Sequence, residues 1–300
     1  MMTLAERPMT PVVLAFLSAA LWGIWWIPIR YLGTLGMDGA WGGVAMNGGA
    51  ALFAVLWVVV TRVSFRLGLN GILGAALVGV AVSTYSVAIT MSDVVRVILL
   101  FYLAPGWSKI IEWAFMGRGW HWTSTLTIAA SLLGAWLVLG GDLSLSGLGI
   151  GDFLAVLSGM AWAGGAALIF AGGRSSAASL TLVTCLCATA IGVGFILLGK
   201  GTVFSGQATL IGSGVGAVAG LVYVMPIMVL TLWSAQRLPP ATISFLLTAE
   251  ILSGVLSGVL LLDEPFGAMQ AGGALLILLA AAAEVLKGIG GKNKPVCRQG

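Results

Sequence analysis

Charge is what this sequence lacks. Only 8% of its 300 residues are Asp, Glu, Lys or Arg, against 59% hydrophobic, and the mean hydropathy is +1.08. A soluble domain carries about 25% charged residues. Water would not keep this chain dispersed. Length alone suggests two domains, but the hydropathy overrides that and predicts an integral membrane protein. Histidine is nearly absent too. His121 is the one in the chain, and its place near a segment end reads as interfacial rather than catalytic. Cysteines number three. Cys185 and Cys187 are two residues apart and point to different faces of a helix, while Cys297 lies in the C-terminal tail. Neither a disulfide nor a metal site is expected.

Other absences narrow the function. The apolar runs are continuous and do not alternate, which argues against membrane strands. The stretch GFILLGKG at 194–201 comes close to a phosphate-binding loop, but Gly201 stands where Ser or Thr is needed. It also ends an apolar helix rather than joining a strand to a helix, so nucleotide hydrolysis is rejected. No metal-ligand cluster and no nucleophile–base set appears. The reading is therefore not an enzyme, and no cofactor is expected. The first apolar run begins at Pro11 and lacks a clear small-residue cleavage site, which reads as a retained helix rather than a removed signal.

What is there is a series of ten apolar stretches, each near the 20 or so residues a spanning helix needs. They are expected at 11–32, 39–61, 69–91, 93–115, 120–141, 149–172, 178–200, 208–234, 239–262 and 267–288. Short breaks such as LGMDGA, MGRGW, AGGRSS and QRLPP separate them. One side of the predicted bundle holds Arg7, Arg62, Arg66, Arg118, Arg174, Arg237, Lys287, Lys292, Lys294 and Arg298. The other holds Arg30, Arg96 and Lys200 beside Asp38, Asp93, Asp142, Asp152, Asp263 and Glu264. The basic excess puts both termini in the cytoplasm. The basic tail, 289–300, reads as an anchor against lipid rather than a nucleic-acid site.

The ten segments divide into two halves, 1–146 and 147–288. LFYLAPGWSKIIEWAFMGRGW (100–120) echoes FLLTAEILSGVLSGVLLLDEPF (245–266) at a shift of 146. Trp22 in AALWGIWW falls on Trp162 in GMAWAGGA, and Tyr85 on Tyr223. Each half has an odd number of segments, so the second inserts upside down. Inverted repeats of this kind build many secondary transporters, with the substrate site at the midplane between the halves.

The half-repeat YLAP…W…MGR, its echo AEIL…LLLDEP and the ALWG opening resemble the EamA branch of the drug/metabolite transporter superfamily. YLAPGW followed by GAWLVLGGD (134–142) is similar in particular to YddG-type aromatic amino acid exporters. The resemblance implies an all-α membrane fold: ten helices in two inverted five-helix repeats around a central cavity. Two departures stand out. Glu250 is followed by Ile251 where the broader family often has proline, and Arg118 stands where an acidic residue is usual.

Candidate functional residues follow. Pro105 in segment 4 removes a backbone donor and can kink the helix, either as a hinge for alternating access or as fixed curvature. Lys109 and Glu112 share a helix face and can pair. A gate, a structural ion pair, or a lysine that snorkels to the interface all fit. Glu250 lies too deep in segment 9 to reach either surface. A charge there costs at least about 2.5–3.5 kcal/mol, which favours a residue lining the pathway over a structural hydrogen bond. Trp22, Tyr85, Tyr102, Trp162 and Tyr223 are nearer mid-segment than interfacial aromatics usually are. If the central helices are those the resemblance implies, these rings wall a cavity suited to stacking and cation–π contact. Asn47 is expected to bond a neighbouring helix.

The expected function is a secondary transporter exporting amino acids, aromatic ones included, across a bacterial inner membrane by alternating access. The alternative is a superfamily member that exports another metabolite or a cationic drug. A channel and an intramembrane enzyme are the rival classes. The expected partners are the amino acid substrate and the bilayer, with no nucleic acid, and a monomer is the simplest expectation.

Overall fold

The computed structural model describes residues 9–37, 40–62, 67–92, 94–138, 149–198, 206–262 and 267–290. Among these there is no strand. Several charges used in the orientation argument, from Arg7 and Asp38 to Asp263, Glu264 and the tail beyond Gly290, lie outside the described residues.

Nine of the described helical stretches are long and apolar enough to cross a membrane. They fall close to nine of the expected segments. The tenth, α7 (Trp122–Val138), is apolar but shorter, since 139–141 of the expected segment lie outside the described residues. Their outward faces carry exposed Leu, Val and Trp, as at Leu52, Leu56, Trp57 and Val60 on one helix. Lipid is as apolar as these side chains, so close packing rather than the hydrophobic effect holds such helices together.

The expected segments are not all single helices. Segment 1 is α1 (Thr10–Gly23) and α2 (Trp26–Thr34). Segment 4 is α5 (Val94–Phe101) and α6 (Ala104–Phe115). Segment 9 is α12 (Pro240–Leu247) and α13 (Glu250–Leu262). Segment 8 runs as α10 (Gly206–Ala219), a π-helical stretch Gly220–Val224, and α11 (Met225–Ala235). Segments 2, 3, 6, 7 and 10 are the continuous helices α3 (Ala40–Thr61), α4 (Leu69–Met91), α8 (Ile150–Ala171), α9 (Ala177–Leu198) and α14 (Ala268–Gly290).

Three of the four interruptions follow from proline, whose ring clashes with the carbonyl four residues back. Pro28 acts on Ile24, Pro105 on Phe101 and Pro226 on Val222. The backbone tightens to i→i−3 bonds at the breaks in segments 1 and 4, as from Trp25 N to Trp22 O at 3.0 Å and from Leu103 N to Leu100 O at 3.3 Å, whereas segment 8 widens into the π stretch. Segment 9 breaks with no proline at the equivalent place. There the Thr248 hydroxyl donates to Phe245 O at 2.6 Å and Ser253 Oγ to Glu250 O at 3.0 Å. These side chains compete with the helical ladder.

Helix pairing repeats when the halves are exchanged. Segments 2 and 7 pack together (α3 with α9), as do 5 and 10 (α7 with α14) and 4 and 9 (α6 with α12). Segment 3 packs on 6 (α4 with α8), and segment 8 packs on 1 (α11 with α1). Glycine permits the closest approaches. A Cβ at Gly220 would run into the α3 backbone at Met46 and Ala50, and one at Gly216 would meet Ala45. The expected equivalence of Trp22 and Trp162 is not matched by local backbone, because segment 1 breaks beside Trp22 while α8 runs straight through Trp162.

Candidate functional site

The four interruptions carry four of the aromatic and acidic candidates. Trp22 is in the last turn of α1, Tyr102 lies in the break between α5 and α6, Tyr223 is in the π stretch, and Glu250 opens α13. All four lie at mid-segment. A break frees backbone groups and turns side chains that a regular helix would hold in a fixed stagger, and such irregular backbone is tolerated in a membrane only inside protein or beside a wet space.

Glu250 joins two breaks. Its Oε1 accepts a hydrogen bond from the Tyr102 hydroxyl at 2.7 Å. Tyr102 is buried, whereas Glu250 keeps part of its surface exposed. Tyr102 continues a row of rings. Phe101 stands 5.8 Å from it edge-on, and Tyr85 of α4 lies 4.9 Å from Phe101. On the other side, the Tyr223 hydroxyl donates to the Leu21 carbonyl next to the α1 break. Its ring stacks on Trp25 at 5.9 Å, and Trp25 leans on Trp22 at 5.2 Å. The Trp22 indole donates to Thr231 Oγ1 at 3.3 Å. Gly23 brings α1 against α13, since a Cβ there would strike the Glu250 carbonyl oxygen and Ser253 Oγ. Tyr85 and Tyr223 are both within electrostatic reach of the Glu250 carboxyl group. Trp22, Tyr85, Tyr102, Tyr223 and Glu250 are thus brought together. No cationic side chain pairs with Glu250 among the described residues.

Trp162 shares an apolar cluster with Trp22 and Phe101 but hydrogen-bonds elsewhere. It is buried, with its indole donating to Ser244 Oγ at 3.0 Å, and Ser244 shares a 2.8 Å hydrogen bond with Ser108. These three residues come from α8, α12 and α6, one helix from the first half and two from the second.

Pro105 is buried in the first turn of α6, so the interruption falls just before it. Lys109 does not snorkel. It is 6% exposed, and its Nζ lies 3.3 Å from Glu112 Oε2. Glu112 is more buried still, and its other oxygen accepts from the Ala241 N–H at 2.9 Å. That amide is one of the unsatisfied donors in the first turn of α12, so Glu112 caps a helix of the other half. Such a bond to an ionised group contributes about 1.5–3 kcal/mol. Gly117, at φ +65, ends α6 and turns the chain back, which sets Arg118 Nη1 4.0 Å from the same carboxylate. All eight residues of α12 are buried.

Sequence reasoning did not find Trp25, Phe101, Ser108, Thr231 or Ser244 as members of these networks. Pro28 and Pro226 were the available signals for the breaks, each four residues past the disturbed carbonyl. Asn47 corrects the expectation made for it. It donates to Gly43 O at 2.9 Å within its own helix, not across to a neighbour.

Residues 149–284 match the family model of the EamA-like transporter family. The chain carries an EamA-like domain. The match spans α8 to near the end of α14, which holds Trp162, Tyr223 and Glu250, and it implies a membrane transporter. No curated protein matches the chain. A solved crystal structure, described only as that of a protein, superposes with a TM-score of 0.71 at 16% identity, covering 94% of this chain and 99% of the other. That likeness is one of fold alone, and it covers residues outside the matched domain as well as within it.

Proposed function

We propose that this chain is a secondary transporter that exports amino acids, aromatic ones included, across a bacterial inner membrane. Its halves, 1–146 and 147–288, form inverted repeats, and both termini with the tail 289–300 face the cytoplasm. The observation that carries the substrate reading is the mid-membrane cluster in which Glu250 meets Tyr102 under Trp22, Tyr85 and Tyr223. A carboxylate with no cation partner would take an amino group. Rings beside it would stack on a flat side chain and offer cation–π contact, worth about 0.5–2 kcal/mol. The EamA-like domain supports the transporter class.

Alternating access needs an end that closes. The Glu112 cap on α12 and the Ser108–Ser244 bond tie the halves together at the end that carries the termini, with Lys109 paired to Glu112 within α6 and Trp162 bonded to Ser244. Glu112 and Lys109 act there as the inner gate, and the break before Pro105 acts as the hinge that lets α6 swing from α12.

A second reading has its own support. The same unpaired carboxylate among rings suits an organic cation that lacks a carboxyl group. Among the described residues no cationic side chain pairs with Glu250, so in the amino acid reading backbone donors freed at the breaks would receive the carboxylate.

Binding separates the two. Purified protein would be melted with tryptophan, lysine, a nucleoside or tetraphenylphosphonium. Stabilisation by tryptophan, lost in Glu250→Gln, fits the amino acid reading. Stabilisation by the organic cation alone replaces it with the second.

A further inference from the structure

At the end of the bundle that carries the termini, two turns are tied together. One follows α8 and holds Gly173, Arg174 and Ser175; the other follows α11 and holds Gln236, Arg237 and Leu238. The Ser175 N–H donates to Gln236 Oε1 at 2.5 Å, and Gln236 Nε2 donates to Leu232 O at 3.3 Å. Gly173, at φ +77, takes the left-handed conformation that turns the chain out of α8. The neighbours of the tied pair, Arg174 and Arg237, are thereby held close enough to repel one another.

Neither arginine has an acidic partner among the described residues. The two turns, AGGRSSAA (171–178) and SAQRLPPA (234–241), contain no Asp or Glu. Arg118, at the same end, has the Glu112 carboxylate at 4.0 Å. Arg237 is fixed in place. Its guanidinium lies 3.6 Å over the Trp233 ring, and one Nη1 proton goes to the Trp233 carbonyl at 2.8 Å. Its Nε is buried without a partner, so one of its five donors stays unused. Burial, with the like charge of Arg174 adding to it, draws the guanidinium below its ordinary value. Arg174 is exposed.

We propose that Arg174 and Arg237 together hold one phosphate group, presented by an anionic lipid of the adjoining leaflet. Both residues lie just beyond apolar spans, Ile150–Ala171 and Leu210–Ala235, which is headgroup depth. Guanidinium forks match phosphate oxygens in pairs. A ring such as Trp233 at that depth is a usual interfacial anchor. A phosphate between the two cations replaces repulsion with two charge-assisted contacts, and it ties the turn after segment 6 to the turn after segment 8. The ligand therefore stabilises the closed packing of the two turns, independently of which solute is carried.

The test uses the full chain in detergent, stripped of lipid and titrated with phosphatidylglycerol, phosphatidylcholine or inorganic phosphate, with binding read by native mass spectrometry and thermal midpoint. We expect phosphatidylglycerol to bind and stabilise selectively. Each surface arginine contributes about a fivefold change in lipid affinity, so Arg174→Gln should weaken binding about fivefold, and Arg237→Gln by at least as much. Arg174 is exposed, so its variant leaves the fold intact. Arg237→Lys keeps the charge if Arg237→Gln does not fold. Unchanged phosphatidylglycerol binding in Arg174→Gln overturns the site. Displacement of the lipid by inorganic phosphate at equal concentration overturns the lipid as its source.

Discussion

The Tyr102 hydroxyl donates to Glu250 Oε1 at 2.7 Å, and the two residues stand at the interruptions of segments 4 and 9. The bond therefore spans two of the four places where the described helices lose their regular ladder. A bond between rigid helices would be a packing detail. One between two breaks reports on how the halves sit, because either break can bend.

Removing the Tyr102 hydroxyl tests that link. Tyr102→Phe keeps the ring against Phe101 and deletes one hydrogen bond to a carboxyl group, about 0.5–3 kcal/mol. The variant should fold, and its transport should fall about tenfold. Wild-type rates in Tyr102→Phe would mean that the bond plays no part in the cycle.

Glu250→Gln fixes the carboxyl position as neutral. If Glu250 exchanges a proton for the solute, the wild-type rate varies with pH and the variant's does not. Initial rates in proteoliposomes between pH 5.5 and 8.5 decide this. A variant whose pH profile overlays the wild type's would remove Glu250 as the proton carrier.

Glu112 should matter for closure more than for the solute. Glu112→Ala removes the cap on Ala241 and leaves Lys109 buried without its partner, a loss of about 3–5 kcal/mol. A cysteine at Ser108, in a background cleared of native cysteines, should then label faster with a membrane-impermeant maleimide from the side of the termini. Labelling that does not change on Glu112→Ala would contradict the gate assignment.

Trp162 is the candidate whose placement most alters its test. Its ring is buried and its indole bonded to Ser244, so alanine there would cost about 3–5 kcal/mol as a core deletion. Phenylalanine removes the hydrogen bond and keeps most of the volume. Trp162→Phe should lower the thermal midpoint and leave substrate affinity within about twofold. A tenfold loss of affinity would return Trp162 to the solute pathway.

Gly23→Ala probes the close approach of α1 and α13. The new methyl would meet the Glu250 carbonyl oxygen and Ser253 Oγ. Overpacking of this kind costs about 1–3 kcal/mol. The variant should melt earlier and transport more slowly, whereas an unchanged melting curve would show that the two helices part readily.

The segments were legible because a bilayer imposes one length on every spanning run, and only the ends moved by a few residues. Pro105 announced its own break. Pro28 and Pro226 carried the same signal through the carbonyl four residues back. The break at Thr248–Ala249 was harder to read. Ile251 offers no proline, and the interruption rests on Thr248 and Ser253 bonding to backbone, which these residues also do in unbroken helices. Lys109 and Glu112 were paired by spacing alone, but spacing is silent on tertiary partners. The Ala241 amide that Glu112 caps is 129 residues away. Depth singled out Glu250, while the identity of Tyr102 as its donor depended on how two bent helices meet.

The most direct measurement is counterflow. Proteoliposomes holding the purified protein and unlabelled tryptophan would be diluted into labelled tryptophan, with lysine and a nucleoside as parallel solutes. The account predicts saturable accumulation of tryptophan that Glu250→Gln abolishes. Accumulation of the nucleoside alone, or of tryptophan equally in wild type and Glu250→Gln, would contradict it.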